Sequence, residues 1–294
     1  MTMHLHSGTE IPGSDLSWNR SIWSLISDCA SAVGQRRLMR EPEFINKTIL
    51  VTGATGGIGR RVSRLIRAGA GEVLLVGRNA QALLALDADL NQTWSSGAPT
   101  LTVDFAVADD VARAGEALRE AGSPLHGLVL ICPSIPKSEA IIPAASEWRE
   151  ALDLCFVNPL SLLRAALDNM VADGRIVIVS GIASLQVFPS LPITNVVRMA
   201  WLAEGKYLAT RLGERRIRVN TVSLGGTLTE QFTARLGSRV PTDVPPEESP
   251  DTIPLGEYGD PDDAADVVVS LLSRFTNHIT GSNVVFDGGF IRAY

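Results

Sequence analysis

From Lys47 onward the chain alternates short apolar runs with amphipathic stretches, and that alternation leaves few folds open to it. Candidate strands occupy 48–52, 72–76, 100–104, 127–131, 175–180, 216–221 and 283–286. Helical patterns lie between them, at 57–69, 79–90, 108–121, 146–170, 195–213 and 261–274. Short, nearly continuous apolar strands separated by helices imply a parallel sheet covered on both faces. Right-handed crossovers then predict an α/β fold over residues 47–294, a single doubly wound parallel sheet of about seven strands flanked by helices. A hydrophobic content of 45% is enough for such a core.

Residues 1–46 depart from this pattern. Leu16, Trp18, Ile22, Trp23, Leu25 and Ile26 recur near helical spacing behind Ser14 or Asp15, which predicts a short amphipathic helix in an N-terminal extension. That helix either packs on its own domain or a sister subunit, or lines a substrate entrance. The net charge of −6 and the lack of a dense Lys/Arg run argue against nucleic-acid binding, which needs a basic face. No apolar run reaches the roughly 18 residues of a membrane span. Glu10 and Asp15 stand where a secretory signal would carry a basic lead and an apolar stretch. Cys29, Cys132 and Cys155 are few and irregularly spaced, which suits a reducing, cytoplasmic setting and gives no disulfide or metal framework.

The first strand runs into Thr52-Gly53-Ala54-Thr55-Gly56-Gly57-Ile58-Gly59-Arg60 and then a helical pattern. Glycines allow a tight strand-to-helix turn and close backbone approach to a pyrophosphate, and the free N–H groups of the helix start face that anion. The second strand ends Val76-Gly77-Arg78-Asn79. An acid near this point binds a ribose 2′-hydroxyl; its absence, with a guanidinium in its place, favours a 2′-phosphate and hence NADP(H).

On these residues the chain resembles the short-chain dehydrogenase/reductase family, from about Lys47 to about Phe290. Thr52-Gly53 through Gly57-Ile58-Gly59 is similar to the family's TGxxxGxG turn, and Ile217-Arg218-Val219-Asn220 and Phe286-Asp287-Gly288-Gly289-Phe290 resemble its sixth strand and C-terminal signature. The resemblance implies a Rossmann-type domain. It also implies adenine contacts at Asp104 and Phe105, a cofactor wall at Cys132 and Pro133, and cofactor contacts at Gly225, Thr227 and Thr229. Asn158, in Phe156-Val157-Asn158, falls at the family's catalytic asparagine.

The departures bear on chemistry. Members of the family usually carry a serine after the fifth strand, a tyrosine about 13 residues on, and a lysine four beyond. Counting without gaps between Arg175–Val179 and Ile217–Asn220, those positions fall on Gly181, Thr194 and Arg198, with Ser180 one residue early. No Tyr-x-x-x-Lys occurs anywhere in the chain. A threonine hydroxyl is a far weaker acid than a phenol, and arginine stays protonated at neutral pH. The usual ketone–alcohol chemistry is therefore not expected. Arg198 still offers positive potential and hydrogen bonds to a ribose, so it counts as both a catalytic and a cofactor-binding candidate, with Asn158, Ser180 and Thr194 as the other catalytic candidates.

Three readings follow. The first is an NADPH-dependent reductase acting on an activated C=N or conjugated C=C. The second is a non-redox cyclase or isomerase on the same scaffold. The third is a nucleotide-binding subunit without catalysis. The substrate loop at about 226–256, with Leu228, Phe232 and Leu236, points to a hydrophobic small molecule and to secondary-metabolite biosynthesis. The resemblance implies a homodimer or homotetramer through the helices at 146–170 and 195–213.

Overall fold

A computed structural model describes residues 43–94, 97–138, 140–237 and 249–292. The expected helix near Leu16–Ile26, Cys29 and the middle of the substrate loop lie outside the described residues. Seven strands form one sheet: β1 (Thr48–Val51), β2 (Glu72–Gly77), β3 (Thr100–Thr102), β4 (Leu125–Ile131), β5 (Met170–Gly181), β6 (Arg218–Leu224) and β7 (Asn283–Phe286). Every pairing is parallel, in the order β3-β2-β1-β4-β5-β6-β7. The doubly wound sheet expected from the sequence is thus the observed one.

Helices cover both faces: α1 (Gly57–Ala68), α2 (Ala80–Trp94), α3 (Ala108–Ala121), α4 (Ala145–Leu152), α5 (Asn158–Asn169), α6 (Pro192–Arg211), α7 (Glu230–Gly237) and α8 (Pro261–Ser270). Alternate strand residues go to opposite faces. Leu50, Leu128, Leu130, Ile176, Ile178 and Val219 pack with residues of α3, α5 and α6. Ile49, Val51, Val129, Val177, Val179 and Val222 pack with residues of α1, α2 and α8. This two-sided burial is why the strands read as continuous apolar runs. The chain leaves β1 toward β2 and β3, then returns to β4 on the other side of β1. That reversal opens a crevice at the carboxyl ends of β1 and β4, the place where doubly wound sheets bind ligands.

Two boundaries differ from the sequence expectation. The single helix over 146–170 is interrupted by a π-helical turn at Asp153–Val157, and α5 restarts at Asn158. Pro159 has no N–H to give the carbonyl of Cys155. That carbonyl is instead taken by Trp201 Nε1 of α6 at 2.7 Å. Trp201 is fully buried and meets Phe156 edge-on, with centroids 4.9 Å apart. Strand β5 begins at Met170, earlier than the apolar run, and passes through Asp173 at φ 63° before the regular pairing resumes at Arg175.

Helix α6 carries apolar residues on both its buried and its outward side. Trp201, Val197 and Leu208 are core, while Val196, Met199 and Tyr207 face outward.

The shared Cys155 carbonyl yields a prediction. Trp201→Phe should destabilise the protein by about 1–3 kcal/mol, because it leaves a buried acceptor unpaired. The loss should shrink in a Pro159→Ala background, where a backbone N–H becomes available. A urea-denaturation double-mutant cycle measures the coupling; strict additivity would show that the two donors do not serve one carbonyl.

Candidate active site

The β1–α1 turn is built by close approach. Gly53 adopts φ +58°, and a Cβ on Gly59 would lie 2.2 Å from the Gly53 carbonyl oxygen, so helix and turn can meet only through glycine. Gly56 caps α1 without a side-chain bond, and no acid occupies the first turn. The helix therefore presents unpaired N–H groups to the crevice. Thr52 Oγ1 accepts the N–H of Ile131 at 2.8 Å and ties the turn to the end of β4.

Three adjoining cavities run along the carboxyl edge of the sheet. The first, about 300 Å³, is lined by Thr55, Arg78, Asp104, Phe105, Cys132 and Pro133 with the glycine turn. The second, about 290 Å³, is lined by Gly53, Gly57, Ile58, Gly59, Ser180, Arg198, Gly225, Thr227 and Thr229. Gly53, Gly56, Ile131, Cys132 and Gln231 border both, so the two form one continuous cleft. The third, about 230 Å³, contains Thr194 and Arg198 with Phe188, Phe232, Tyr258 and Phe290. Every residue expected to touch a dinucleotide thus lies on the first two cavities.

Of the four catalytic candidates, three converge and one does not. Arg198 borders both the second and third cavities, Ser180 the second, and Thr194 the third. Asn158 is the one placed on a different hollow. Its amide donates to the Phe105 carbonyl at 2.8 Å, and its side chain borders a separate hollow between α3 and α5. It braces the backbone of Phe105, a residue of the first cavity.

Two buried polar atoms in the second cavity lack hydrogen-bond partners: Ser180 Oγ and Arg198 Nη1. A Cβ on Gly181 would lie 3.6 Å from Arg198 Nε, which places the guanidinium against the end of β5. The thiols of Cys132 and Cys155 also feel Arg198. Burial pushes them up to about 12 and about 11, against the pull of that guanidinium, so both stay neutral and unreactive. Among the described residues no three His, Cys, Asp or Glu side chains are grouped to hold a metal ion, and no helix is long and apolar enough to cross a membrane.

Several site residues carried no sequence signal. Phe188 is fixed by Asn195, whose amide accepts its N–H at 3.0 Å and donates to its carbonyl at 2.9 Å. Its ring stacks on Phe290, with centroids 6.1 Å apart, and Phe232 meets Tyr258 edge-on at 5.2 Å. Tyr258 is one wall of the third cavity. Lys137 is exposed, and His126 lies within β4, where its Nδ1 accepts the Thr48 N–H at 3.1 Å.

Residues 229–231 strap the cleft. A Cβ on Gly57 would meet Thr229 Cβ at 2.8 Å and Glu230 Oε2 at 2.9 Å. Glu230 pairs with Arg60 and, at 3.4 Å, with Arg61. Gln231 Nε2 reaches across to Ser134 Oγ at 3.2 Å.

The comparisons with known proteins come from independent directions. The family model described as Enoyl-(Acyl carrier protein) reductase matches residues 53–291. Human dehydrogenase/reductase SDR family member 4 is 30% identical over 278 residues, covering 90% of this chain and 96% of that protein. Protein FixR of Bradyrhizobium diazoefficiens is 26% identical over 293 residues, covering 96% of this chain and 99% of that one, so the likeness takes in most of the segment before Lys47. Among solved structures, an NADPH-bound short chain oxidoreductase from Pseudomonas aeruginosa PAO1, described as containing an atypical catalytic center, shares the fold at TM-score 0.77 and 24% identity. It covers 86% of this chain and 99% of that chain.

The strap has a testable pH signature. The Arg60 guanidinium holds the Glu230 carboxyl down at about 2, against a usual 4.5. A carboxylate whose folded pKa is depressed stabilises the fold above its unfolded pKa and loses that contribution as pH falls toward the folded one. The stability difference between wild type and Glu230→Gln should therefore be present near neutrality and decline between pH 4.5 and about 2. The pair is exposed, so the difference should stay within about 1 kcal/mol. Urea melts across that range check it; a pH-independent difference would show that the pair does not form.

Proposed function

Because the chain belongs to the short-chain dehydrogenase/reductase family, whose members use nicotinamide cofactors, we propose that it is an NADPH-dependent reductase of atypical type. It would deliver hydride to an activated C=N or a conjugated C=C of a hydrophobic small molecule in secondary-metabolite biosynthesis. One observation carries this reading: a cleft lined by all the residues expected to touch a dinucleotide adjoins a cavity bordered by Gly181, Thr194 and Arg198, the residues that the gap-free count assigns to the family's serine, tyrosine and lysine.

The residues fit the cofactor. The uncapped start of α1 would hold the pyrophosphate, and Arg78, on the rim of the first cavity, the 2′-phosphate. The buried Nη1 of Arg198 and Oγ of Ser180 lack partners that a ribose or carboxamide would supply. When bound, the reduced nicotinamide supplies the hydride. Thr194 and Arg198 orient the acceptor, and the guanidinium contributes a fixed positive potential where charge develops. The proton that completes the reduction comes from water or from the substrate, since neither side chain is an acid at neutral pH. The aromatic walls suit an apolar body. A homodimer or homotetramer built on the outward face of α6, at Val196, Met199 and Tyr207, belongs to the same reading.

Fluorescence titration with NADPH and NADH tests the cofactor. NADPH should bind more tightly, and Arg78→Ala should weaken it about 10–100-fold while changing NADH by less than about threefold, as expected for one charge-assisted phosphate contact. Equal losses for both would overturn the 2′-phosphate assignment. NADPH consumption with conjugated carbonyl or imine substrates tests the chemistry; product formed without NADPH consumption would assign a non-redox reaction instead.

A further inference from the structure

Resting on the dinucleotide-binding part of the reading above, we infer that Glu230 and Gln231 latch the strap shut across the middle of the cofactor cleft, so that its opening sets the rate at which a nicotinamide dinucleotide enters and leaves. The same opening takes away one wall of the third cavity, which ties cofactor exchange to the state of the neighbouring site.

The strap lies where the two cofactor cavities join. Gly53, Gly56, Ile131, Cys132 and Gln231 border both. The first four belong to the β1–α1 turn and the end of β4, whereas Gln231 comes from α7. A dinucleotide reaching from Arg78 to Ser180 has to pass this junction. Both sides of the strap are tied down. On the α1 side the Glu230 carboxylate pairs with Arg60 and Arg61, close against Gly57. On the β4 side Gln231 Nε2 donates to the Ser134 hydroxyl, and Ser134 lines the first cavity. Two adjacent residues thus hold opposite walls of one cleft, and lifting the strap breaks both ties.

The next residue carries the effect to the third cavity. Phe232 borders the second and third cavities and meets Tyr258 edge-on. The Phe232 N–H donates to Thr229 Oγ1 at 3.3 Å, and the Thr233 N–H to the Thr229 carbonyl at 2.8 Å. Residues 229–233 are therefore one folded piece, and lifting Glu230 and Gln231 draws Phe232 away from Tyr258. Tyr258 lines the third cavity and the outer hollow, and neither of the cofactor cavities. It is a residue outside the cofactor cleft that bears on cofactor exchange.

The ties to Arg60 and Ser134 are exposed, and each shifts an equilibrium only a few-fold. A tie present with and without the cofactor lowers the open fraction in both states. Entry and exit then slow by the same factor while affinity is kept. A carboxylate that merely repelled the cofactor phosphates would act otherwise: removing it would speed entry and slow exit.

Stopped-flow NADPH fluorescence on the full-length protein gives the entry rate, and a chase of bound NADPH with excess NADP+ gives the exit rate. Ser134→Ala and Tyr258→Ala should each raise both rates about two- to tenfold, as expected for one hydrogen bond or one ring pair. Their equilibrium affinities should stay within about twofold of wild type. Glu230→Gln should raise the exit rate about two- to fivefold, and its gain should multiply with that of Ser134→Ala, because the two release opposite ends of one strap. Circular dichroism confirms that each variant is folded; Ser134→Ala and Glu230→Gln, both at exposed side chains, decide the matter if Tyr258→Ala is not. Exit rates unchanged in Ser134→Ala and Glu230→Gln, or an exit slowed by Glu230→Gln, would overturn the latch. Rates unchanged in folded Tyr258→Ala would overturn the link to the third cavity. Wild type that binds neither NADPH nor NADH at equilibrium would overturn the cofactor reading and the inference with it, an outcome distinct from tight binding with unaltered exchange.

Discussion

The approach of Gly59 to the Gly53 carbonyl fixes the geometry of this protein. With only 2.2 Å available to a Cβ there, any side chain would push α1 off the end of β1. Held in place, α1 aims its uncapped N–H groups into the crevice made by the strand-order reversal between β1 and β4. The Thr52 hydroxyl then ties β1 to Ile131 of β4, so the floor of the first two cavities is set by the glycine backbone and one neutral side chain. The fold supplies an anion site before any charged side chain is considered. Arg78 adds a guanidinium to its rim and Glu230 a strap across it.

The catalytic half is held differently. Its position depends on α6, and α6 is anchored by Trp201, whose indole N–H satisfies the carbonyl that Pro159 cannot reach. That bond joins the helix bearing Thr194 and Arg198 to the π-helical turn and hence to α5. Asn158 opens α5 and holds the backbone of Phe105. One connected set of hydrogen bonds and buried rings therefore relates the cofactor cleft to the residues beside it. Asn158 belongs to that framework through its bond to the Phe105 carbonyl.

Much of this was legible in the sequence because it is local or periodic. Two-sided burial makes each strand a continuous apolar run, and the glycine turn is contiguous, so the sheet and the turn followed from spacing, while the expected cofactor walls came from the family resemblance. The register of Thr194 and Arg198 could be counted because β5 and β6 bracket α6 with recognisable runs. What did not show depends on chain segments far apart. Apolar residues continue through Asp153–Val157, so nothing in the pattern marks the π turn; its cause is a missing N–H at Pro159 and a donor on another helix. Phe188 and Phe290 meet only once β5 and β7 are neighbours of β6. Gln231 finds Ser134 only across the folded cleft.

Gly181 and Arg198 are best understood together. A Cβ at 181 would make ordinary contact with Arg198 Nε at 3.6 Å and with the Leu224 carbonyl at 3.5 Å, so a serine side chain could be accommodated, with its hydroxyl projecting into the space beside the guanidinium. Without it, the broad planar head of arginine has room at the junction of two cavities, where a lysine would present a narrower ammonium. A glycine at 181 and an arginine at 198 therefore act in one direction: neither side chain offers a proton to relay, and the guanidinium sets a fixed positive potential at the junction of the two cavities.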